Sequence, residues 1–156
     1  MVLRPNFMIT ETAVDIIVSL EPRHAENILI GTKTIELRKR KIEAKPETRL
    51  WLYSKKPIAA VVGHVTVQET ITLEPPKMWD QFGDCIKVTK TEFFDYLADK
   101  KLAYGLMLTH PYRLKQIVSL DAMRNAEGGF APPQFYKKLN VPGDKIGPLL
   151  RAAISR

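Results

Sequence analysis

The spacing of apolar residues changes twice within the first forty positions. Asp15–Leu20 is a short run rich in β-branched and aliphatic residues, which is typical of a buried strand. From Pro22 onward apolar residues recur at helical spacing, and Gly31 follows where a helix C-cap is expected. The pattern predicts a strand, a helix ended by glycine, and a second strand within about 25 residues. Residues 1–14 have weak periodicity and are expected to form a tail or an added edge element.

The strand after Gly31 is predicted to have one apolar and one polar face. Ile35 and Leu37 fall on the apolar side, because successive side chains of a strand alternate. The turn at Gly31 places Lys33 at the mouth of this strand. A polar row on a strand indicates water or a ligand on that side. Its members are Thr34, Glu36, Arg38 and Arg40.

Residues 49–54 alternate again and carry two large aromatics. Trp51 and Tyr53 fall on the same face as Arg49 and Lys55, with leucines on the other. Basic residues beside aromatics on one strand face are typical of a base-stacking platform. The alternative is that Trp51 and Tyr53 face the core, since large aromatics are mostly buried.

The remaining apolar pattern alternates long extended segments with short helices. Ile58–Leu73 is predicted to be one strand bent at Gly63. Two helices follow, the second N-capped by Thr89 or Thr91. Two last strands, Ala103–Thr109 and Tyr112–Leu120, are predicted on either side of a turn at His110-Pro111.

Beyond Asp121, glycines and prolines predict an irregular extension with short helices near Gln134–Leu139 and Ile146–Arg156. Its aromatic residues favour docking over disorder. Five or six strands with short helices between them predict an α+β fold with a small, curled, barrel-like sheet.

Composition narrows the class of protein. At 156 residues and 45% hydrophobic, we expect a single domain over 1–156, with a core at about 15–120 and a Pro/Gly-rich extension at 121–156. No apolar run is long enough to span a bilayer, and no secretory signal pattern is visible, so a cytoplasmic protein is expected. With one cysteine and three scattered histidines, neither a metal site nor a cofactor is expected.

The net charge of +7 is concentrated in two blocks. Residues 31–60 hold nine lysines and arginines against three acids, and residues 101–156 hold the same numbers. If both blocks share one face, they would attract a phosphate backbone and release counterions on binding. The alternative is a pair of solvated basic faces.

The residues from Val18 to Arg38 carry a family resemblance. The sequence Val18-Ser19-Leu20-Glu21-Pro22, a helix, and then Gly31-x-Lys33-x-x-Glu36-x-Arg38 resembles the ASCH domain, a branch of the PUA-like β-barrels. The likeness covers about residues 15–120, with further landmarks at Tyr53, Ile58–Gly63, Glu92–Leu97 and Ala103–Leu106.

The resemblance implies a small barrel with a cleft beside Gly31–Arg38. It also implies a role in binding nucleic acid, with RNA favoured over DNA, and thereby in regulating transcription or translation. Lys33 would supply a compact cation and Arg38 a planar fork for a phosphate or base edge, with Glu36 holding the guanidinium. Together with the basic residues Lys39 and Arg40 and the aromatic pair on the third strand, the nucleic-acid-binding residues expected are Lys33, Glu36, Arg38, Lys39, Arg40, Trp51 and Tyr53. The alternative is a structural Glu36–Arg38 ion pair.

Two other functions stay open. Some ASCH proteins are amidohydrolases acting on acylated cytidine through a Lys, a Thr and a Glu, and others are ribonucleases. Here Glu36 occupies the threonine position, so the catalytic candidates are Lys33, Glu36 and Thr34, with the nearest further acids at Asp80 and Asp84. An interaction module for a modified nucleotide or a protein partner is the third class. Oligomeric state is not indicated by the sequence.

Overall fold

The computed structural model describes residues 14–155 and has the predicted α+β architecture. Residues 1–13, where the tail or edge element was predicted, lie outside the described range. The strands are β1 (Asp15–Leu20), β2 (Ile35–Arg38), β3 (Thr48–Ser54), β4 (Ala60–Leu73), β5 (Ala103–Ser119) and β6 (Lys137–Lys138). The helices are α1 (Pro22–Leu29), α2 (Pro75–Ile86), α3 (Lys90–Tyr96), α4 (Leu120–Ala126) and α5 (Ile146–Ile154). Among these residues no helix is both long and apolar enough to cross a membrane.

The six strands form one curled sheet in the order β2-β5-β4-β3-β1-β6. β1 runs parallel to β3, and the other neighbours are antiparallel. The predicted bend at Gly63 is present: the pairing of β4 shifts register there, and a Cβ would lie 2.3 Å from the carbonyl oxygen of Tyr112. Only glycine therefore allows β5 to approach this closely.

The strand β2 lies at one edge of the sheet and alternates as the sequence predicts. Ile35 and Leu37 pack with α2 and α3 around Met78 and Phe93. Gly31 precedes the strand at φ +88°, in the left-handed region, although no atom within 4 Å would obstruct a side chain. Glycine is thus required by backbone conformation rather than by space.

Of the two interpretations of Trp51 and Tyr53, burial in the core is confirmed and the exposed stacking platform is wrong. Trp51 is 0% exposed and Tyr53 is 4% exposed. Both pack in a cluster with α4 and α5, while Leu50 and Leu52 pack in another on the opposite face of β3. The side chains of β3 alternate as predicted, but both of its faces are covered, because the C-terminal helices return to this side of the sheet.

The segment after residue 102 differs from the sequence-based expectation in three places. β5 continues through His110, which has φ +55° and forms an irregularity within the strand instead of a turn between two strands. Residues 120–126 are helical where irregular chain was predicted. Residues 134–139 contain no helix; Lys137 and Lys138 instead pair with β1. The helix predicted at the C-terminal end is present as α5.

His64 gives the aromatic cluster around Trp51 a pH dependence. Its ring stacks on Tyr112 with centroids 5.0 Å apart and meets Trp51 at 4.8 Å, and burial lowers its pKa from 6.5 to about 4. The unfolded chain therefore binds this proton first, so stability is lost as the pH falls from 6.5 towards 4. We expect the loss to be about 1–3 kcal/mol. Urea unfolding across this pH range should show a weaker pH dependence of stability in His64→Phe, and a dependence as steep as that of wild type would contradict this assignment.

Candidate functional site

A cleft of about 750 Å³ opens where β2, α1, α3 and the C-terminal extension meet. This volume lies in the range of small-molecule and cofactor sites. The motif residues form its floor, and both helices and the segment around Phe135 form its walls. Its charged and aromatic lining residues are Glu21, Arg23, His24, Lys33, Glu36, Arg38, Lys39, Arg40, Lys55, Glu92, Phe93, Asp95, Tyr96 and Phe135.

Three charged side chains on the floor are buried together. Lys33, Glu36 and Arg38 are 2%, 6% and 9% exposed. The Nζ of Lys33 lies 3.8 Å from Oε1 of Glu36, and Nε of Arg38 lies 3.1 Å from Oε2 of the same carboxylate. The cluster therefore has two basic groups for one acid, which leaves it suited to one further anion.

Lys33 is anchored at the C-terminal end of α2. Its ammonium donates a hydrogen bond to the carbonyl oxygen of Ile86, the last residue of that helix. Cations are favoured there because the final carbonyls of a helix lack intrahelical partners. Burial lowers the pKa of Lys33, and the Glu36 carboxylate opposes this effect. Lys33 is thus a buried amine held between the Ile86 carbonyl and the Glu36 carboxylate. It is not exposed at the mouth of the strand, where it was expected to contact a phosphate directly.

Arg38 has unused hydrogen-bonding capacity. Although Nε is close to Glu36, its N–H is not directed at the carboxylate, and neither Nε nor Nη2 has a hydrogen-bond partner among residues 14–155. Buried donors without partners are costly, and charged ones most of all. An anion entering the cleft would relieve this cost.

The cleft carries additional cations near two aromatic rings. Lys39 places its Nζ 4.8 Å from the ring centroid of Tyr96, and the guanidinium of Arg40 lies 4.1 Å from that of Phe135. Lys55 also lines the cleft. None of the three cations is paired with a carboxylate of the described residues. The cleft is therefore basic from floor to rim, despite Glu92 and Asp95 on the α3 side.

α3 is held against the cleft by its N-terminus. Thr89 and Glu92 form a reciprocal capping box, with hydrogen bonds of 3.1 and 2.9 Å, and Arg23 of α1 contacts Glu92 at 2.6 Å. The predicted N-cap at Thr89 is confirmed. The Arg23 guanidinium, followed by the Thr89 backbone N–H, lowers the pKa of Glu92 from 4.5 to about 2.

Glu92→Gln keeps the capping geometry and removes the charge, since glutamine also serves at this position. Because the pKa of Glu92 is lower in the folded protein, the charge contributes stability above pH 4.5, and this is lost as the pH falls towards 2. We expect wild type to be more stable than Glu92→Gln at pH 7 and the two to converge at about pH 2. Thermal unfolding at both pH values measures this. A constant gap would show that the charge is not responsible.

The structure separates the other candidates from the cleft. Thr34 is exposed and does not line it, and Asp80 and Asp84 are exposed on α2, away from it. The lysine, threonine and acid of an amidohydrolase are therefore not brought together. Trp51 and Tyr53 are likewise absent from the lining.

Sequence reasoning missed His24, Tyr96 and Phe135. His24 lies in the cleft with Nδ1 buried and unpartnered among the described residues; burial and the nearby Lys33 charge lower its pKa. His24 lies one helical turn after Leu20-Glu21, and this spacing is the sequence signal that could have placed it in the cleft. Within residues 14–155, no group of three His, Cys, Asp or Glu side chains could hold a metal ion.

Comparison with known proteins places the chain in a family. A family model described as a domain of unknown function, DUF365, matches residues 13–130. A Zymomonas mobilis protein named ASCH domain-containing ribonuclease is 25% identical over 118 residues, which are 76% of this chain and 79% of that protein.

Solved structures agree on the fold. The crystal structure of ASCH from Zymomonas mobilis superposes with a TM-score of 0.81 at 22% identity, covering 88% of this chain and 94% of that one. A Pseudomonas syringae protein superposes with a TM-score of 0.58 at 8% identity, covering 89% and 99%. By its matched residues the chain belongs to the DUF365 family, and its curled sheet with flanking helices has the fold of the Zymomonas mobilis ASCH structure.

Proposed function

We propose that this protein binds RNA in the cleft formed around Lys33, Glu36 and Arg38. The observation that carries the proposal is the buried cluster of two cations and one carboxylate, in which Arg38 keeps two nitrogens without partners. Guanidinium groups match phosphate geometry through paired hydrogen bonds.

The walls of the cleft support the same proposal. Lys39, Arg40 and Lys55 supply unpaired positive charge, and Tyr96 and Phe135 supply ring faces. Cations along a groove with aromatic rings are the features by which proteins bind single-stranded nucleic acid. Carboxylates at Glu36 and Asp95 could accept a hydrogen bond from a ribose 2′-hydroxyl, which favours RNA over DNA. The name of the Zymomonas mobilis relative points to RNA too.

Such a module would suit an intracellular regulator of translation or transcription. The lysine, glutamate and arginine on the floor can also hold a nucleotide-like small molecule through the same contacts. RNA is favoured because the unpaired cations extend beyond the floor to the rim.

A binding titration against salt tests the proposal. Each neutralised phosphate of a single strand contributes about 0.7 to the slope of log K against log salt, so the three cleft cations available to phosphates, Arg38, Lys39 and Lys55, predict a slope of about −2. An RNA oligomer should bind more tightly than the DNA of the same sequence. A protein that binds no RNA at low salt, or binds it independently of salt, would contradict the proposal.

RNA cleavage is a second candidate. His24 and Lys33 lie in one cleft and both have a lowered pKa, which favours a neutral imidazole as base and weakens the hold of the Lys33 amine on its proton. Turnover of end-labelled RNA that disappears in Lys33→Met, and with 2′-deoxy substrate, would establish it. RNA that stays intact after prolonged incubation with a protein that binds it would contradict cleavage and leave RNA binding as the only proposed function.

A further inference from the structure

We propose that Arg40 acts on a base and not on a phosphate: its guanidinium, laid on the ring of Phe135, forms a ledge on which one unpaired nucleobase stacks. This rests on the proposed RNA-binding function. The proposal assigns different parts of the ligand to Arg38 and Arg40, which the sequence pattern places on the same polar row of the strand.

The geometry of the pair carries the inference. The guanidinium carbon of Arg40 lies 4.1 Å from the ring centroid of Phe135, a stacking distance for a planar cation. Arg40 is exposed, lines the cleft, and has no carboxylate partner among the described residues. One face of its guanidinium meets the ring, so the other is available to a ligand. Arginine planes are surfaces on which unpaired RNA bases stack.

The ledge is preformed. Phe135 packs edge-on to Tyr136, with centroids 4.7 Å apart, and both rings pack against the core of the sheet. The preceding chain is fixed by a 2.7 Å hydrogen bond from Ser19 Oγ to the carbonyl oxygen of Pro133, and the following chain by pairing of β6 with β1. A ring already held in place costs little further ordering when a base binds.

The two arginines are placed for different parts of a ligand. Arg38 is buried beside Glu36, whereas Arg40 lies at the rim, two residues on. Their backbones are at most about 7 Å apart, so a phosphate at Arg38 and a base on Arg40 can belong to the same or a neighbouring nucleotide. Phe135 lies beyond the family-matched residues 13–130, so the extension supplies the ring on which the Arg40 guanidinium lies.

Arg40→Lys is the decisive variant, because it keeps the charge and removes the plane. The probe is a single-stranded RNA containing 2-aminopurine, whose fluorescence falls when the base stacks. With wild type we expect quenching on binding. With Arg40→Lys we expect about 5- to 100-fold weaker binding, the cost of losing one stacked base, an unchanged salt slope, and little quenching at saturation.

Two further variants separate stacking from charge and from folding. Lys55→Met, which removes a cation from the same cleft, should make the salt slope shallower by about 0.7 and leave the quenching intact. Phe135→Leu should resemble Arg40→Lys, and the double variant should bind no more weakly than either, because both act on one ledge.

The possible failures are distinct. Arg40→Lys binding and quenching like wild type would show that Arg40 acts only as a charge, and would overturn the inference while RNA binding stands. Quenching retained at saturation with only a lowered Tm would assign the pair a structural role and overturn it too. Wild type binding no RNA would overturn both proposals.

Discussion

Arg38→Met is expected to weaken RNA binding about 10- to 100-fold while the protein remains folded. Hydrogen bonds to charged groups contribute about 1.5–3 kcal/mol each, and Arg38 has two nitrogens without partners at the floor of the cleft. The fold should tolerate the change, because removal of Arg38 leaves Lys33 and Glu36 as a balanced pair. Fluorescence anisotropy with a labelled single strand measures the affinity, and circular dichroism the fold.

Arg113→Met is the matched control for Arg38→Met. It removes the same charge and side chain from another strand, but Arg113 pairs with Glu26 on the surface and does not line the cleft. We expect it to bind RNA within about twofold of wild type, since one remote surface charge is largely screened. Equal losses in both variants would mean that net charge alone attracts RNA.

The second large effect is on stability. Glu36→Gln leaves Lys33 and Arg38 buried without their shared counter-charge, and breaking a buried pair from one side costs about 3–5 kcal/mol. For a chain of this size each kcal/mol lowers Tm by about 2–4 °C, so a decrease of about 10 °C is expected in thermal unfolding. Lys33→Met should cost less, because Glu36 and Arg38 remain together.

Two further measurements identify the cause of that destabilisation. The double variant Lys33→Met/Glu36→Gln should recover part of the loss, because it buries one fewer charge. Raising the pH should also help Glu36→Gln: the pKa of Lys33 is already below its unfolded value of 10.5, and removal of Glu36 lowers it further. Stability then rises with pH up to about 10.5. A variant equally unstable at pH 7 and pH 9.5 would instead indicate lost packing.

Local pattern was sufficient for the floor of the cleft. Alternation along β2 separates Ile35 and Leu37 from Glu36 and Arg38, and the glycine before the strand fixes the turn that delivers Lys33. Both follow from interactions within a few residues along the chain. The burial of the charged row did not follow, since it depends on α1, α3 and the extension closing over an edge strand.

Trp51 shows why the stacking platform was assigned to the wrong residues. A period of two identifies the residues that share a face of β3, but the sequence does not show that α5, about a hundred residues later, covers that face. The aromatic rings that line the cleft come from α3 and from the extension, so their proximity to Arg40 depends on long-range packing. The turn predicted at His110-Pro111 was wrong for a local reason. His110 does have the left-handed backbone of a turn residue, but it lies within one continuous strand.

The side-chain Nε–Hε signal of Arg38 in a ¹⁵N NMR spectrum tests the central claim most directly. It is assigned by its disappearance in Arg38→Met, and the protein is then titrated with a short single-stranded RNA. The Arg38 signal is expected to shift as its nitrogen gains a hydrogen-bond partner, with the same apparent Kd as the anisotropy titration, while the Arg113 signal stays in place. An Arg38 signal that does not move while the RNA binds would show that the cleft is not the RNA site.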